Sequence, residues 1–156
     1  MDYTTRLERD KPGVTGIPGI DSQHTELVFM LDAFLGSLKK DDLTLDFIYA
    51  TLEGIMSSLK CHFLTEEGLM EIIDFPKIAD HKAQHKEYIC LFARELKALN
   101  NKHVEKVKII QFVQAFRDTV IFHFTVSDGD YIGYIEKLIT MREKFDISVL
   151  RARAIA

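Results

Sequence analysis

The chain has 156 residues, of which 28% are charged and 47% are hydrophobic. This length suits one compact domain with a core large enough to need no disulfide staples. The net charge of −4 argues against nucleic acid as the main partner, because domains that bind nucleic acid usually carry a basic surface. Eight glycines and three prolines are too few for a disordered or collagen-like chain, and they favour helix.

The sequence shows no sign of secretion or of membrane insertion. Residues 1–10 mix charges of both signs and contain no apolar run followed by a cleavage site. No stretch without a charged residue is longer than 119–127, which is far shorter than the about 20 apolar residues of a spanning helix. Cys61 and Cys90 form no CxxC pair, which indicates two buried free thiols in a reducing compartment. We therefore expect a cytoplasmic protein without membrane contact.

The first half of the chain predicts an arm and two helices. Residues 1–20 contain two Pro-Gly pairs and are expected to form an extended N-terminal arm. A first helix follows, which Asp21 or Ser22 can cap, and its apolar residues recur at helical spacing. After the polar break at 39–42, the next apolar stripe predicts a second helix from about 44 to 73.

The second half predicts two more helices and a tail. Pro76 can open the third helix at its first position, and the two asparagines at 100–101 end it. The fourth helix breaks near 127–129, and residues 129–156 are expected to form a C-terminal helical tail packed on the bundle. No alternating run between turn signals supports a sheet. Because the connections are short, we predict an all-α, antiparallel up-down-up-down four-helix bundle over residues 21–128.

Five histidines continue the apolar faces of the predicted helices. His62 follows Leu59 by three residues, and His123 follows Val120 by three. A lone buried imidazole is commonly a hydrogen-bonded core residue, but five imidazoles and two carboxylates are costly to bury without a partner. A metal supplies that partner, and histidine with carboxylate suits iron, manganese or zinc. The candidate ligands are His24, His62, Glu66, His81, His85, His123 and Asp128.

The number of candidate ligands favours two metal ions over one. Five imidazoles and two carboxylates exceed the four ligands that tetrahedral zinc takes. The zinc-protease pattern HExxH fails because Lys82 follows His81. The Glu-x-x-His spacing of ferritin-type di-iron bundles occurs nowhere in the chain.

Each candidate carboxylate has an acidic competitor nearby. Glu66 lies four residues after His62, whereas Glu67 is rotated away by about 100° and is expected to be solvated or to support a ligand. Asp128 lies five residues after His123, which is about 140° around a regular helix. Asp128 can reach a metal only where the helix is distorted or has ended. Asp130 is the competing candidate for this carboxylate ligand.

Motifs at all seven candidate ligands resemble those of the hemerythrin family. The offset between Asp128 and Tyr131 matches the family and favours Asp128 over Asp130. The resemblance covers roughly residues 14–135, and a standalone domain of this kind is similar to the bacterial members, the bacteriohemerythrins. The segments that carry it are 20–24, 62–70, 75–76, 81–85 and 123–131.

The resemblance implies a non-haem di-iron centre that binds dioxygen reversibly for storage, delivery or sensing. One iron takes His81, His85 and His123, and the other takes His24 and His62. The two candidate carboxylates bridge both irons together with a solvent-derived oxygen. The second iron has one ligand fewer, is five-coordinate, and binds dioxygen as a hydroperoxide. The apolar pocket around it is expected to be lined by Leu27, Phe63, Val120 and Phe124.

The chain also departs from the family pattern. It contains no tryptophan, and Thr119 stands where an aromatic residue is frequent, so we expect faster autoxidation than in a pocket sealed by tryptophan. We expect a binding protein rather than an enzyme, because no acid–base group beyond the ligands is evident. The alternatives are a di-iron enzyme acting on peroxide or nitric oxide, an oxygen- or redox-sensing signalling module, and a role in iron homeostasis. His103 is expected at the surface, and Cys61 is expected to be structural. The sequence does not identify a protein partner.

Overall fold

In a computed structural model, the described residues, 13–40, 42–99 and 105–155, form helices and contain no strand. The all-α prediction is therefore confirmed. Residues 1–12 of the expected arm and His103 lie outside this description. The helices are α1 (Pro18–Ser37), α2 (Leu45–Ile72), α3 (Ile78–Leu99), α4 (Lys106–Phe122), a π-helix (His123–Ser127) and α5 (Asp128–Ile155).

The start of α2 follows from a side-chain cap. Thr44 has extended backbone, and its hydroxyl accepts a hydrogen bond from the backbone N–H of Phe47 at 3.2 Å. This satisfies one of the amide groups that a helix N-terminus leaves unpaired. Both ends of α2 lie within one residue of the prediction.

The starts of α1 and α3 differ from the prediction. α1 begins at Pro18, so Asp21 lies inside the helix and was wrongly expected as its cap. The Asp21 carboxylate instead accepts hydrogen bonds from the backbone N–H groups of Thr15 and Gly16, at 2.7 and 3.1 Å. It thereby ties the preceding segment to the first turn. Pro76 lies in the turn before α3 and does not open that helix.

The helices pack into a bundle around two groups of buried apolar side chains. α1 contacts α2 and α4, and α3 contacts α2. The antiparallel order of neighbouring helices stays a prediction from their short connections. The smaller group joins Met70, Phe75 and Tyr131. The larger group includes Leu31, Phe34, Leu38, Leu52, Ile55, Leu59, Phe92, Leu96, Ile109, Val113 and Phe116.

The C-terminal tail leaves the bundle as a helix. The expected break near 127–129 is absent, because the π-helix carries α4 directly into α5. Tyr131 is buried, and α5 packs against the smaller apolar group as far as Ile135. Packing of the whole tail on the bundle was expected, but the side chains of residues 136–144 are exposed. Among the described residues, no helix is both long enough and apolar enough to cross a membrane.

Candidate metal centre

The structure brings the seven candidate ligands together inside the bundle. Each has at most 5% of its surface exposed. α1 supplies one histidine, α2 a histidine and a glutamate, and α3 two histidines, with each pair on α2 and α3 four residues apart on one face. The π-helix and the start of α5 supply the last two. These residues are His24, His62, Glu66, His81, His85, His123 and Asp128.

The π-helix explains how Asp128 reaches the centre. A π-helix places residues five apart on the same face, because its hydrogen bonds join residue i to residue i+5. The backbone N–H of Asp128 donates to the carbonyl of His123 in this pattern. As a result, Asp128 Oδ1 lies 3.2 Å from His123 Nε2. The competing residue Asp130 is exposed and pairs with Lys77 at 2.9 Å.

The ligand atoms form two groups that share Glu66. In each group, one possible ligand atom per residue lies within 4.8 Å of all the others. Asp128 also spans both groups, since its Oδ2 lies 3.4 Å from His24 Nε2 and its Oδ1 lies 3.5 Å from His81 Nε2. The first group is Glu66, His81, His85 and His123, and the second is His24, His62, Glu66 and Asp128.

The spacing of these atoms fits ligands around metal ions. His85 Nε2 and His123 Nε2 are 3.0 Å apart. Two ligand atoms at right angles around an ion, each at about 2.1 Å, are separated by about 3.0 Å. Glu66 Oε2 lies 3.4 Å from the Nε2 atoms of both His62 and His85, so this carboxylate stands between the two groups.

Three neighbours orient the imidazoles through their outer nitrogens. The backbone carbonyl of Gly13 accepts from His24 Nδ1 at 2.8 Å. Glu67 Oε1 accepts from His85 Nδ1 at 2.9 Å. When these rings are neutral and Nδ1 carries the proton, Nε2 of each ring is left as a lone pair that faces the cluster. This is the arrangement that metal-binding histidines adopt.

The third of these neighbours is Gln23, which holds His62. Gln23 Oε1 accepts from His62 Nδ1 at 3.2 Å, and its amide nitrogen donates to Thr65 Oγ1 at 3.1 Å. The second bond fixes which end of the amide faces the imidazole. A fourth contact orients a carboxylate, since the Tyr131 hydroxyl donates to Glu66 Oε1 at 2.9 Å.

Buried polar atoms that face the cluster have no hydrogen-bond partner among the described residues. Leaving such atoms unpaired costs about 1–3 kcal/mol each, and more for charged groups. A bound cation would satisfy the carboxylate oxygens and the imidazole lone pairs together, so the donor set fits a metal. The unpartnered atoms that face the cluster are His24 Nε2, His62 Nε2, Glu66 Oε2, His81 Nε2 and both carboxylate oxygens of Asp128. His123 Nδ1 is also unpartnered, but that ring contacts the cluster through Nε2.

Burial and mutual contact push the pKa values of the cluster apart. Burial lowers the pKa of His62 to about 3. Burial also lowers the pKa of His24, but the carboxylates of Asp128 and Glu66 outweigh it and raise that pKa to about 9. Burial raises the pKa of Asp128. Burial also acts to raise the pKa of Glu66, but the histidines around it, His123 foremost, outweigh burial and hold that pKa below its ordinary value. Without a cation the cluster therefore mixes charged and neutral groups at close range, a condition that metal binding relieves.

Apolar side chains surround the two groups. The Phe124 ring stacks on His24, and the Phe63 ring stacks on His85, each with ring centroids 3.7 Å apart. Thr119 is half-buried, and its hydroxyl donates to the carbonyl of Ala115 at 2.9 Å, so the hydroxyl is satisfied by its own helix. The four residues expected to line a pocket, Leu27, Phe63, Val120 and Phe124, are all buried.

A comparison with known protein families agrees with this geometry. Residues 15–135 match the model of the hemerythrin HHE cation-binding domain. The chain belongs to the hemerythrin family. A search of curated proteins found no match to this chain. The matched residues span α1 to the first turns of α5, so the hemerythrin domain includes every residue of the cluster.

Sequence reasoning missed two groups that support the histidines of this hemerythrin domain, and it was wrong about the burial of the two cysteines. Gln23 and the carbonyl of Gly13 were not predicted, because their partners lie 39 and 11 residues away in sequence. A polar residue directly before an inward histidine is the one signal that could have pointed to Gln23.

Cys61 and Cys90 were expected to be buried, and this is wrong, since both are exposed. Each lies on the outer face of its helix, where no core packing needs it.

Proposed function

We propose that this hemerythrin domain binds dioxygen reversibly at a centre of two iron ions. Imidazoles and carboxylates without thiolates are a ligand set that suits non-haem iron. The observation that carries the proposal is the inequality of the two groups. One contains three histidines, and the other contains only His24 and His62, while Glu66 and Asp128 reach both. An ion held by His24 and His62 would therefore have one protein ligand fewer, which would leave room for an external ligand.

Bound ferrous ions would supply the two electrons that reversible dioxygen binding requires. The chain would hold the ions and limit what else can react with them. Rings of Phe124 and Phe63 cover His24 and His85. Leu27 and Val120 are buried in the same group of apolar side chains, so these surroundings are largely apolar and limit the access of water. Such surroundings disfavour the release of charged, partly reduced oxygen.

The inventory of buried polar groups favours binding over turnover. Among the residues whose side chains the structure describes, the buried polar or charged side chains are Thr15 and the seven cluster residues. Tyr131 is also buried, but its hydroxyl donates to Glu66, and burial raises the pKa of that phenol above its ordinary range. Among these buried side chains, none is an uncommitted acid placed to deliver protons for cleavage of the oxygen–oxygen bond.

An optical experiment tests the proposal. Protein loaded with ferrous iron without air is exposed to dioxygen and then degassed, and its visible spectrum is recorded at each step. An absorption band that appears with dioxygen and vanishes on degassing is the expected result. Irreversible bleaching, or turnover of peroxide or nitric oxide with a reductant, would instead indicate the enzymatic alternative.

The lifetime of the oxygenated protein tests a finer expectation. The chain lacks tryptophan, and a threonine at position 119 leaves the pocket without a large aromatic ring at that point of α4. We expect the oxygenated form to autoxidise faster than in a pocket sealed by tryptophan. An oxygenated form that persists for many hours in air would contradict this expectation.

A further inference from the structure

A separate cavity of about 440 Å³ lies between α2 and α3, on the outer side of His85. Its size falls within the range of small-molecule pockets, about 300–1,000 Å³. Nothing in the proposed oxygen chemistry uses this space. It is lined by Lys60, Phe63, Leu64, Glu67, Lys82, His85, Lys86, Ile89 and Cys90.

The charge of the lining favours an anion. Three lysines line the cavity against a single glutamate, Glu67, in a chain whose net charge is −4. Glu67 already accepts from His85, and it lies 3.8 Å from Lys82. Lys82 is also paired with Glu71 at 2.6 Å. The local positive charge is therefore carried by the other two lysines of the lining.

Those two lysines have no acidic partner in the described part of the chain. Neither Lys60 nor Lys86 forms a hydrogen bond or ion pair with a described residue. Unpaired ammonium groups at the rim of a concave site attract and hold carboxylates through charge-assisted hydrogen bonds. They can serve this purpose without first breaking a bond within the protein.

The rest of the lining is apolar. The buried ring of Phe63 forms part of the wall, and Leu64 and Ile89 extend it. Leu64 is 69% exposed, although it is a large aliphatic residue. An apolar surface next to unpaired lysines fits a ligand with a short apolar body and one negative head. A fully polar anion would leave this surface unused.

We infer that the cavity between α2 and α3 is a binding site for a small amphipathic carboxylate, held by Lys60 and Lys86 with its apolar body against Phe63 and Ile89. The inference does not depend on the proposed oxygen binding, because the four residues assigned to the ligand are not members of the cluster. It places a ligand site within one side chain of the metal centre, since His85 lines the cavity and belongs to the cluster as well.

Calorimetry with 3-phenylpropionate as the probe tests this site in the iron-loaded full chain. We expect saturable binding of one equivalent, and much weaker binding of the uncharged 3-phenylpropionamide. Lys60→Gln and Lys86→Gln should each weaken binding by about fivefold, which corresponds to about 1 kcal/mol for a partly exposed charge pair. Lys137→Gln, at an exposed lysine of α5, is the matched control and should leave the affinity unchanged.

The two cysteines supply a second measurement that needs no substitution. Both thiols are exposed, but Cys90 lines the cavity and Cys61 does not. At ten times its dissociation constant, 3-phenylpropionate should slow alkylation of Cys90 by N-ethylmaleimide about tenfold and leave Cys61 unaffected. Equal affinity for the acid and the amide, no effect of the two lysine variants, or equal protection of both thiols would each overturn the inference. Each of these results can be obtained whether or not the iron centre binds dioxygen.

Discussion

The bundle buries apolar side chains along one section and histidines and carboxylates along the other. In the apolar section, Leu38, Leu52 and Phe92 have no exposed surface and belong to the larger group of buried apolar side chains. In the polar section, Glu66 and Asp128 are equally buried, yet carboxylate oxygens of both lack hydrogen-bond partners in the described chain. Burial is thus the same in both sections, but only the apolar section is satisfied by the protein alone.

This contrast assigns different tasks to the two sections. Apolar burial contributes roughly 25 cal/mol per Å² and holds the helices together without any cofactor. Unpaired buried carboxylates oppose folding unless a cation neutralises them. We therefore expect damage to the apolar section to lower the stability of the bundle, and damage to the polar section to abolish metal binding.

The largest expected effect comes from removing the carboxylate that both groups share. Glu66→Ala deletes a candidate ligand of both ions. Loss of a residue that only supports a ligand typically weakens metal affinity by about 10–100-fold, so loss of Glu66 should exceed that range. Iron content after dialysis, measured by atomic absorption, checks this. The control is Glu71→Ala on the exposed face of α2, which should retain its iron; equal retention by both variants would contradict the assignment.

The opposite result is expected in the apolar section. Phe92 has no exposed surface and packs edge-to-face against Phe116 with ring centroids 4.7 Å apart. Phe92→Ala should destabilise the folded state by about 3–5 kcal/mol, because it removes buried surface and leaves a cavity. Urea unfolding of the iron-loaded protein measures this loss. The folded variant should still hold as much iron as the parent protein, and a parallel loss of iron would mean that the two sections are not separable.

Removal of the metal should affect the two sections unequally. A ligand present at 1,000 times its dissociation constant stabilises the folded state by about 4 kcal/mol, and this contribution is lost on chelation. Hydrogen exchange can locate the loss along the chain. We expect faster exchange in the π-helix and the first turn of α5, and little change around Leu52 and Phe92. Uniform acceleration along all helices would show that the metal stabilises the whole bundle and not its polar section.

The sequence predicted much of this contrast, because apolar stripes and inward histidines share the helical period. The spacing of His62 from Leu59 and of His123 from Val120 already placed these imidazoles on core faces. The position of Asp128 was harder to predict. A regular helix turns it away from His123, and nothing in apolar periodicity reveals the π-helix that returns it to the same face. Contacts between distant segments, such as Gln23 with His62, depend on how the helices pack and carry no local signal.

The smallest expected effect comes from Gln23, which contacts a histidine of the polar section but is not itself a candidate ligand. Gln23→Ala removes the acceptor for His62 Nδ1 and should weaken iron affinity by about 10–100-fold, since that imidazole is then free to rotate or to change its tautomer. Gln23→Glu keeps an acceptor oxygen and should restore most of the affinity. Thr65→Ala removes only the hydroxyl that accepts a hydrogen bond from the Gln23 amide, so it should weaken iron affinity less than Gln23→Ala does. Competition with a chelator of known affinity measures all three variants. If Gln23→Ala and Thr65→Ala weakened affinity equally, the amide would matter through packing and not through its bond to the imidazole.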